Sequence, residues 1–369
     1  MTSTRPVVAV LFGGRSSEHS ISCLSAASVL AAIDRDVYEV VAVAIARDGR
    51  MFIHSGNPAE LATIDGVLPE VHAVGQQVLL TTDPTIRGFV SVDGAALPSA
   101  FQRVDVVFPV LHGPYGEDGT IQGALEFANL PCVGSGVFAS SAAMDKAHMK
   151  AMFVAHSLPV GPFEVVTAQQ WSTDKAHVLQ RIDSLSYPVF VKPARAGSSI
   201  GITKVNSRES LEAAIGEAQT HDPKVIVEAA VGNMREIECG VLVDEAGVPR
   251  TSVPAEIIVT GDHEFYDFDA KYLEDSAVLD VPATLDEQTT TRIQQAAVAA
   301  FTALECEGFA RCDFFVLADG QVIINEVNTL PGFTSISMFP RMWQASGMTY
   351  PEIVAALLRD ALRRGCGLR

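Results

Sequence analysis

Two strand-like segments joined by a tight turn place the strongest constraint on the fold of this chain. Residues 309–317 and 321–326 have the composition of β-strands, and the Asp319-Gly320 pair between them is typical of a β-hairpin. The second strand runs from apolar residues into polar ones just before a Pro-Gly turn. Because polar groups at the end of a buried strand are costly, such groups usually serve binding or catalysis.

Three oxygen-bearing side chains share one face of this predicted hairpin. Pairing across the turn puts Asp313 beside Glu326, and Asn328 points to the same side because it lies two residues further on. Two carboxylates and an amide oxygen suit Mg²⁺, with phosphate oxygens as additional ligands. Arg311 adds a cation to that face. The alternative to a metal site is a polar face that is simply exposed to solvent, because acidic residues at alternating positions are also compatible with that.

The composition is that of a folded protein with more than one domain. The 369 residues exceed a typical single domain, and 48% of them are apolar. The net charge of −18 argues against a nucleic-acid-binding or anionic-membrane surface, whereas nucleotide binding needs only local cations or a metal. We expect no membrane insertion and no signal peptide, since no apolar stretch reaches the roughly 18 residues of a membrane span. Scattered cysteines predict reduced thiols in a cytoplasmic protein: Cys23, Cys132, Cys239, Cys306, Cys312 and Cys366.

The N-terminal segment predicts the start of a doubly wound sheet. Apolar residues 7–12 form a strand ending in Gly-Gly, a helix over 23–33 capped by Ser20 or Ser22 follows, and residues 39–45 form the next strand. The glycine spacing differs from that of a dinucleotide-binding loop.

Two loops at the carboxyl ends of predicted strands carry polar side chains. Glu18 follows the first strand, and His112 follows the buried strand 104–110. Open α/β sheets bind ligands at this edge. The glycines of LHGPYGEDG let the backbone pass close to a ligand, and an ordinary loop capped by Asp118 is the alternative.

The middle of the chain carries several lysines near a glycine-rich segment. A helix is predicted over 140–156, with Lys146 and Lys150 one turn apart, and a solvated surface lysine is the default interpretation of each. Lys192 ends a predicted strand just before the Gly/Ser-rich residues 197–201. Backbone N–H groups and hydroxyls in such a segment can hold phosphate while the lysine offsets its charge. A flexible hairpin tip is the alternative.

Residues 261–276 (GDHEFYDFDAKYLEDS) form a polar loop without a clear period, and loops of this length are commonly functional lids. Lys271 and Tyr272 are its candidate reactive members. An oxygen-ligand metal site, a phosphate loop and a lid together predict magnesium–nucleotide chemistry on a scaffold without a P-loop.

Seven segments, in order over the full length, resemble those of D-alanine–D-alanine ligases of the ATP-grasp superfamily. The segments are LFGGRSSEHSIS, LHGPYGEDGTIQG, MDK, VKPARAGSSIGITKV, EFYDFDAKY, RCDFF and NEVNTLPGFTSIS. The resemblance implies an α/β fold (α+β in the ATP-grasp part), with a Rossmann-like N-terminal domain followed by a two-lobed ATP-grasp fold. The implied domains are residues 1–140, 141–232 and 233–369.

The resemblance also implies a two-step ligation. ATP phosphorylates the carboxylate of a first D-alanine, and the amino group of a second D-alanine attacks the acyl phosphate. A tetrahedral intermediate then collapses to D-alanyl-D-alanine and phosphate, and the dipeptide serves peptidoglycan precursor synthesis. Implied accessory features are two Mg²⁺ ions, with Mn²⁺ as a substitute, activation by K⁺ as an open question, and a homodimer formed through the first domain.

Roles implied by the resemblance fall on residues that match the motifs of the family. Catalysis and amino-acid binding are assigned to Glu18, His112, Ser198, Lys271, Tyr272, Arg311, Gly332, Ser337 and Met338. ATP binding is assigned to Lys146, Lys192, Ser198, Ser199, Glu228, Ala229, Val231, Glu236, Lys271, Asn325 and Glu326. Metal binding is assigned to Asp313, Glu326 and Asn328.

Within these sets, several roles are specific. Glu18 holds the ammonium group of the first D-alanine and bonds with Tyr272 and Ser198. Arg311 and the backbone N–H of Gly332 stabilise the developing oxyanion. His112 lies beside the carboxylate of the first substrate, whereas Ser337 and Met338 hold that of the second.

Three alternatives stay open at this point. The ribose carboxylate is Glu236 or Glu238, since both face the same side of a strand. The lid sequence Ala270-Lys271-Tyr272 favours D-alanine over D-lactate as the second substrate. A different ATP-grasp ligase and a non-catalytic ATP-binding module are the other competing classes.

Overall fold

The computed structural model describes residues 5–83, 85–197, 200–259 and 277–367. They form three β-sheets with helices packed against them, so the fold belongs to the mixed helix-and-sheet class. In the described part of the chain, no helix is long and apolar enough to cross a membrane.

The first sheet has six strands in the order β5-β4-β3-β2-β1-β6. Its strands are β1 (Val7–Gly13), β2 (Glu39–Ile45), β3 (Met51–His54), β4 (Gln77–Leu80), β5 (Phe89–Ser91) and β6 (Val106–Val110). Strand β1 runs parallel to β2 and β6, whereas β3, β4 and β5 extend the sheet with antiparallel pairs. Every residue of β1 is buried, which explains its uninterrupted apolar run.

Helices α1 (His19–Ala32) and α2 (Thr120–Phe127) accompany the first sheet, and α1 corrects one expectation. The helix begins four residues before the predicted start, and neither Ser20 nor Ser22 caps it. The Ser22 hydroxyl instead accepts from the Gly13 N–H at 2.8 Å and donates to the Val110 carbonyl. It therefore fastens the helix to the carboxyl ends of β1 and β6, a tertiary role that local pattern does not reveal.

The helix predicted over 140–156 is in fact two helices. These are α3 (Val137–Met144) and α4 (Lys146–Ala155), separated at Asp145. The Asp145 side chain accepts from the Ala147 and His148 N–H groups at 3.2 Å each and so caps α4. Asp145 has an extended backbone conformation, which ends α3 before α4 begins.

The second sheet has four antiparallel strands in the order β7-β10-β8-β9 and a core of its own. Its strands are β7 (Phe163–Thr167), β8 (Val189–Pro193), β9 (Thr203–Val205) and β10 (Lys224–Ala229). Its helices are α5 (Ala168–Thr173), α6 (Lys175–Ile182) and α7 (Leu211–His221).

The third sheet has the order β14-β13-β11-β15-β16, with β12 paired to β11. Its strands are β11 (Met234–Val243), β12 (Pro249–Thr251), β13 (Ala255–Val259), β14 (Ala277–Asp280), β15 (Phe309–Leu317) and β16 (Val322–Asn328). The accompanying helices are α8 (Glu287–Ala303), α9 (Met338–Ala345) and α10 (Tyr350–Arg364).

The predicted hairpin is confirmed in β15 and β16. Asp313 lies opposite Glu326, and Arg311 lies opposite Asn328. The pairing then steps from Glu326 to Ile324, so Asn325 is the extra residue of a β-bulge. Hairpin pairing follows from the Asp-Gly turn, whereas the bulge has no sequence signal.

Packing distinguishes the second sheet from the other two. Helices α9 and α10 share one apolar core with the first sheet, in which Phe333 contacts Phe108, Phe309 and Phe339. Helices α3 and α4 pack on the third sheet rather than on the second. The division at residues 140 and 232 stays a prediction, although this packing groups residues 137–155 with the third sheet.

Candidate active site

A cavity of about 590 Å³ lies where the three sheets meet. Its walls include every predicted site residue that the structure describes. These residues are Glu18, His112, Lys146, Lys192, Glu228, Ala229, Val231, Glu236, Arg311, Asp313, Asn325, Glu326, Asn328, Gly332, Ser337 and Met338. Ser198, Ser199, Lys271 and Tyr272 fall outside the described residues, as does the predicted lid over 261–276.

Glu18 lies where three loops converge. Its side chain is 7% exposed, and it precedes the first residue of α1. A Cβ atom on Gly113 would stand 2.5 Å from Glu18 Oε2, and one on Gly197 would stand 3.2 Å from it. Glycine at these positions therefore lets the HGPYG loop and the Gly/Ser-rich segment approach a single carboxylate.

His112 connects the first sheet to the loop after the hairpin. Its Nδ1 lies 3.1 Å from the Leu330 carbonyl oxygen, and its Nε2 lies 2.9 Å from Ser25 Oγ. Burial lowers the pKa of His112, so the ring is neutral. Since a carbonyl only accepts, Nδ1 carries the proton and Nε2 accepts from Ser25. This tautomer fixes the ring at the cavity wall.

Glu117 is a cavity residue that sequence reasoning missed. Its Oε1 accepts from the Gly113 N–H at 2.7 Å. Its enclosed position and then the nearby Glu18 charge raise the pKa of Glu117 to about 8. The LHGPYGEDG segment contains this residue, but nothing in the segment separates an inward carboxylate from a surface one.

Lys146 joins the glycine-rich segment to the hairpin. Its Nζ donates to the Ala196 carbonyl at 2.8 Å and lies 3.7 Å from Glu326 Oε2. It is the first residue of α4, where the helix dipole also favours anions. The Asp145 cap therefore directs a cation into the cavity.

A buried group of two lysines and one glutamate occupies another wall. Glu228 Oε2 lies 2.6 Å from Lys192 Nζ, and Glu228 Oε1 lies 2.8 Å from Lys150 Nζ. Although burial alone would raise the pKa of Glu228, the two ammonium groups hold it well below the usual range. Burial likewise opposes charge on Lys192, yet Glu228 raises its pKa overall. The surface interpretation of Lys150 was wrong, because its side chain is enclosed by these partners.

Arg311 lies between two carboxylates on the hairpin face. Its Nε and Nη2 each donate to Asp313 at 2.7 Å, and its Nε lies 3.1 Å from Glu238 Oε1. The Asn328 amide also donates to Asp313 at 3.0 Å. Burial alone lowers the pKa of Arg311, but the two neighbouring carboxylates raise it well above its usual value.

The two candidate ribose carboxylates have different surroundings. Glu238 is 5% exposed, lies opposite Asp313 in the sheet and contacts Arg311. Glu236 lies opposite Phe315 in the same pairing, and its charge acts on Lys192. Glu238 is thus paired with Arg311 at the hairpin face. Glu236 lies towards the wall that holds Lys150, Lys192 and Glu228, which we call the lysine wall.

The hairpin face has the chemistry of a divalent metal site. Asp313 and Glu326 supply carboxylate oxygens from paired strands, and Asn328 supplies an amide beside them. Hard cations prefer such oxygen donors. Among the described residues, no cluster of three or more His, Cys, Asp or Glu side chains offers an alternative metal site.

The loop after the hairpin shapes the remaining wall. Ser337 Oγ accepts from the Thr334 N–H at 3.1 Å and lies 2.7 Å from Thr334 Oγ1. Helix α9 begins at Met338, so its backbone N–H groups lie at the cavity edge. A helix N-terminus of this kind attracts a carboxylate.

Comparison with known proteins agrees with this geometry. The family model described as "D-ala D-ala ligase N-terminus" matches residues 7–135, and "D-ala D-ala ligase C-terminus" matches residues 152–359. The D-alanine–D-alanine ligase of Streptomyces griseus is 52% identical over 99% of this chain and 95% of its own length. That of Mycobacterium avium is 51% identical over 100% of this chain and 99% of its own length.

Solved structures show the same likeness. A VanG D-Ala:D-Ser ligase from Enterococcus faecalis superimposes with a TM-score of 0.84 at 32% identity, covering 97% of this chain and 100% of its own. The D-alanine–D-alanine ligase from Coxiella burnetii gives a TM-score of 0.81 at 30% identity, covering 98% and 94%. With two family models and these near full-length relatives in agreement, the chain belongs to the D-alanine–D-alanine ligase family.

Proposed function

We propose that this protein joins two D-alanines into D-alanyl-D-alanine, at the cost of one ATP, for peptidoglycan precursor synthesis. The observation that carries the proposal is the meeting of Glu18, the lysine wall and the hairpin face around one cavity. An ammonium-binding carboxylate, phosphate-binding cations and a metal site are the parts that ATP-driven ligation of an amino acid requires.

The first step transfers a phosphoryl group to a carboxylate. In our proposal Glu18 binds the ammonium group of the first D-alanine, and neutral His112 lies near its carboxylate. A carboxylate oxygen then attacks the γ-phosphorus of ATP, ADP leaves, and the acyl phosphate forms. Phosphate is a far better leaving group than carboxylate oxygen, which is why ATP is consumed.

Cations of the chain hold the nucleotide during this transfer. Lys146 and Lys192 serve the phosphates, and the backbone after Glu228, at Ala229 and Val231, serves adenine. We assign the ribose to Glu236 because Glu238 is engaged by Arg311. Ser198, Ser199 and Lys271 retain their predicted phosphate roles, as does Asn325 at the nucleotide.

Asp313, Glu326 and Asn328 would hold the magnesium ions that accompany ATP. Bound Mg²⁺ neutralises charge on the transferring phosphoryl group. Mn²⁺ fits the same oxygen donors, and phosphate release with and without K⁺ measures activation by that ion.

The second step forms the peptide bond. The amino group of the second D-alanine attacks the acyl phosphate, and the oxyanion of the tetrahedral intermediate faces Arg311 and the Gly332 N–H. The carboxylate of this second D-alanine binds at Ser337 and Met338, where α9 begins. Collapse of the intermediate breaks the bond to phosphate. Tyr272, with Ser198 and Glu18, closes the lid over the reaction.

We further propose that the second and third sheets form the two lobes of an ATP-grasp fold behind a Rossmann-like first domain. A separate core in the second sheet supports this division. A cytoplasmic homodimer formed through the first domain completes the proposal.

Phosphate release with D-alanine, L-alanine, D-serine or D-lactate as substrate tests the function. We expect ATP-dependent phosphate release only when D-alanine is the substrate, and D-alanyl-D-alanine as the product. D-Serine belongs in the series because a structural relative is described as a D-Ala:D-Ser ligase. Preferential formation of the D-serine dipeptide or the D-lactate depsipeptide would contradict the assignment of the second substrate.

A further inference from the structure

Lys150 is a buried cation that no step of the proposed reaction uses. It lies on α4 and is 3% exposed. Its ammonium group lies 2.8 Å from Glu228 Oε1 and donates to the Asn325 carbonyl at 3.2 Å. Glu228 belongs to β10 of the second sheet and Asn325 to β16 of the third. One side chain therefore connects both walls of the nucleotide cavity.

The contact with Asn325 falls on the bulge of the hairpin. Asn325 is the extra residue of β16, and it directly precedes Glu326. A bulge redirects the side chains next to it, and its backbone groups need partners outside the regular ladder. Lys150 supplies such a partner to the carbonyl group, which stabilises the backbone that presents Glu326.

The contact with Glu228 bears on Lys192. Lys150 and Lys192 each contact one oxygen of the Glu228 carboxylate. If Lys192 turns towards a phosphate, a Glu228 without Lys150 would be left as a buried, uncompensated charge, which is strongly unfavourable. With Lys150 in place, Glu228 keeps a counterion whichever way Lys192 points.

We propose that Lys150 is a positioning residue of the nucleotide site: it neutralises Glu228 and fixes the Asn325 bulge, so that Lys192 is released to bind phosphate. The proposal rests on the assignment of Lys192 to the phosphates of ATP. It makes Lys150 a determinant of nucleotide affinity although the lysine acts through Glu228 and Asn325.

The test is a double-mutant cycle on nucleotide binding. Calorimetry with ADP and Mg²⁺, together with steady-state kinetics, is applied to wild type, Lys150→Met, Glu228→Gln and the double variant. We expect Lys150→Met to weaken ADP binding and raise the KM for ATP at least about tenfold, with the KM for D-alanine within about twofold. In the Glu228→Gln background, the same change should cost less than about threefold, because the carboxylate that needs a counterion is gone and only the weaker contact with the Asn325 carbonyl is lost.

Two further variants separate positioning from simple loss of stability. Lys150→Arg should recover most of the ADP affinity, since it keeps the charge. Arg364→Met removes a cation that pairs with buried Asp360 on α10, and neither residue lines the cavity, so it should lower the melting temperature while leaving ADP affinity within about twofold. If Lys150→Met does not fold, Lys150→Gln takes its place in the cycle.

Two results would overturn the proposal. One is a Lys150 variant that melts earlier but binds ADP as wild type does, which would make the lysine purely structural. The other is an equal loss of affinity with and without Glu228, which would show that Lys150 does not act through that carboxylate. A wild-type protein that binds no nucleotide would refute the proposed function as well, and the wild-type titration reveals this separately.

Discussion

Removing Glu238 should impair catalysis through Arg311. Glu238 Oε1 lies 3.1 Å from Arg311 Nε, and Glu238 is 5% exposed, so little water competes for this pair. The Nε–H of Arg311 donates to Asp313, so the contact with Glu238 is an ion pair, and a close ion pair contributes roughly 1.5–7 kcal/mol. At about 1.36 kcal/mol per tenfold in rate, losing the lower end of this range reduces kcat roughly tenfold or more if Arg311 stabilises the tetrahedral intermediate.

The assay is phosphate release at saturating ATP and D-alanine, measured below the melting temperature of each variant. Glu238→Ala should show the full loss, and Glu238→Gln should fall between it and wild type because the amide oxygen keeps a partial negative charge beside Arg311 but loses the full charge. Glu245→Gln is the matched control, since Glu245 is an exposed residue that pairs with Arg359. If Glu238→Ala retained kcat within about threefold of wild type, Glu238 would not orient Arg311 for catalysis.

Three more predictions concern other walls of the cavity. Glu326→Gln should abolish phosphate release while the circular dichroism spectrum and the melting temperature stay near wild type, because this side chain is partly exposed at the hairpin. Persistent turnover would show that the metal site is misassigned. Gly113→Ala should raise the KM for D-alanine at least about tenfold, since its Cβ would stand 2.5 Å from Glu18 Oε2 at a φ of +76°; an unchanged KM would refute this role for the glycine. Since the pKa of Glu117 is raised from 4.5 to about 8 in the folded state, its contribution to stability is full below about pH 4.5 and is lost as the pH rises through 8. The melting temperature of wild type should therefore fall more steeply between pH 5 and pH 8.5 than that of Glu117→Gln, and parallel curves would contradict this.

The parts of the fold that sequence predicted are those with short-range causes. The Asp-Gly turn and the strand composition predicted the pairing of Asp313 with Glu326, and the structure confirms it. The buried parallel strand β1 follows from an uninterrupted apolar run.

Features that depend on tertiary partners were missed or were predicted wrongly. The Ser22 hydroxyl binds β1 and β6 rather than capping α1, and Asp145 divides the predicted helix in two. Lys150 has the sequence context of a surface lysine, and only the approach of Glu228 and Asn325 explains its burial. A local sequence pattern does not predict which residues of another sheet will contact a side chain.

Prediction of the candidate site depended on resemblance more than on pattern. Periodicity indicated the hairpin face and the glycine-rich segment, but it could not place Glu18 beside Gly197, which is distant in sequence. The alternation of side chains along a strand could not decide between Glu236 and Glu238 for the ribose, since both face one side of β11. The contact between Glu238 and Arg311 is what supports our proposal that Glu236 binds the ribose.

The central claim is that ATP activates the carboxylate of one D-alanine as an acyl phosphate. Its most direct test uses D-alanine with ¹⁸O in both carboxylate oxygens, followed by mass spectrometry of the phosphate and the dipeptide. The proposed steps predict one ¹⁸O atom in each inorganic phosphate released and a single ¹⁸O left in the peptide carbonyl. ADP is the expected nucleotide product. Unlabelled phosphate, or label carried into AMP, would contradict the account.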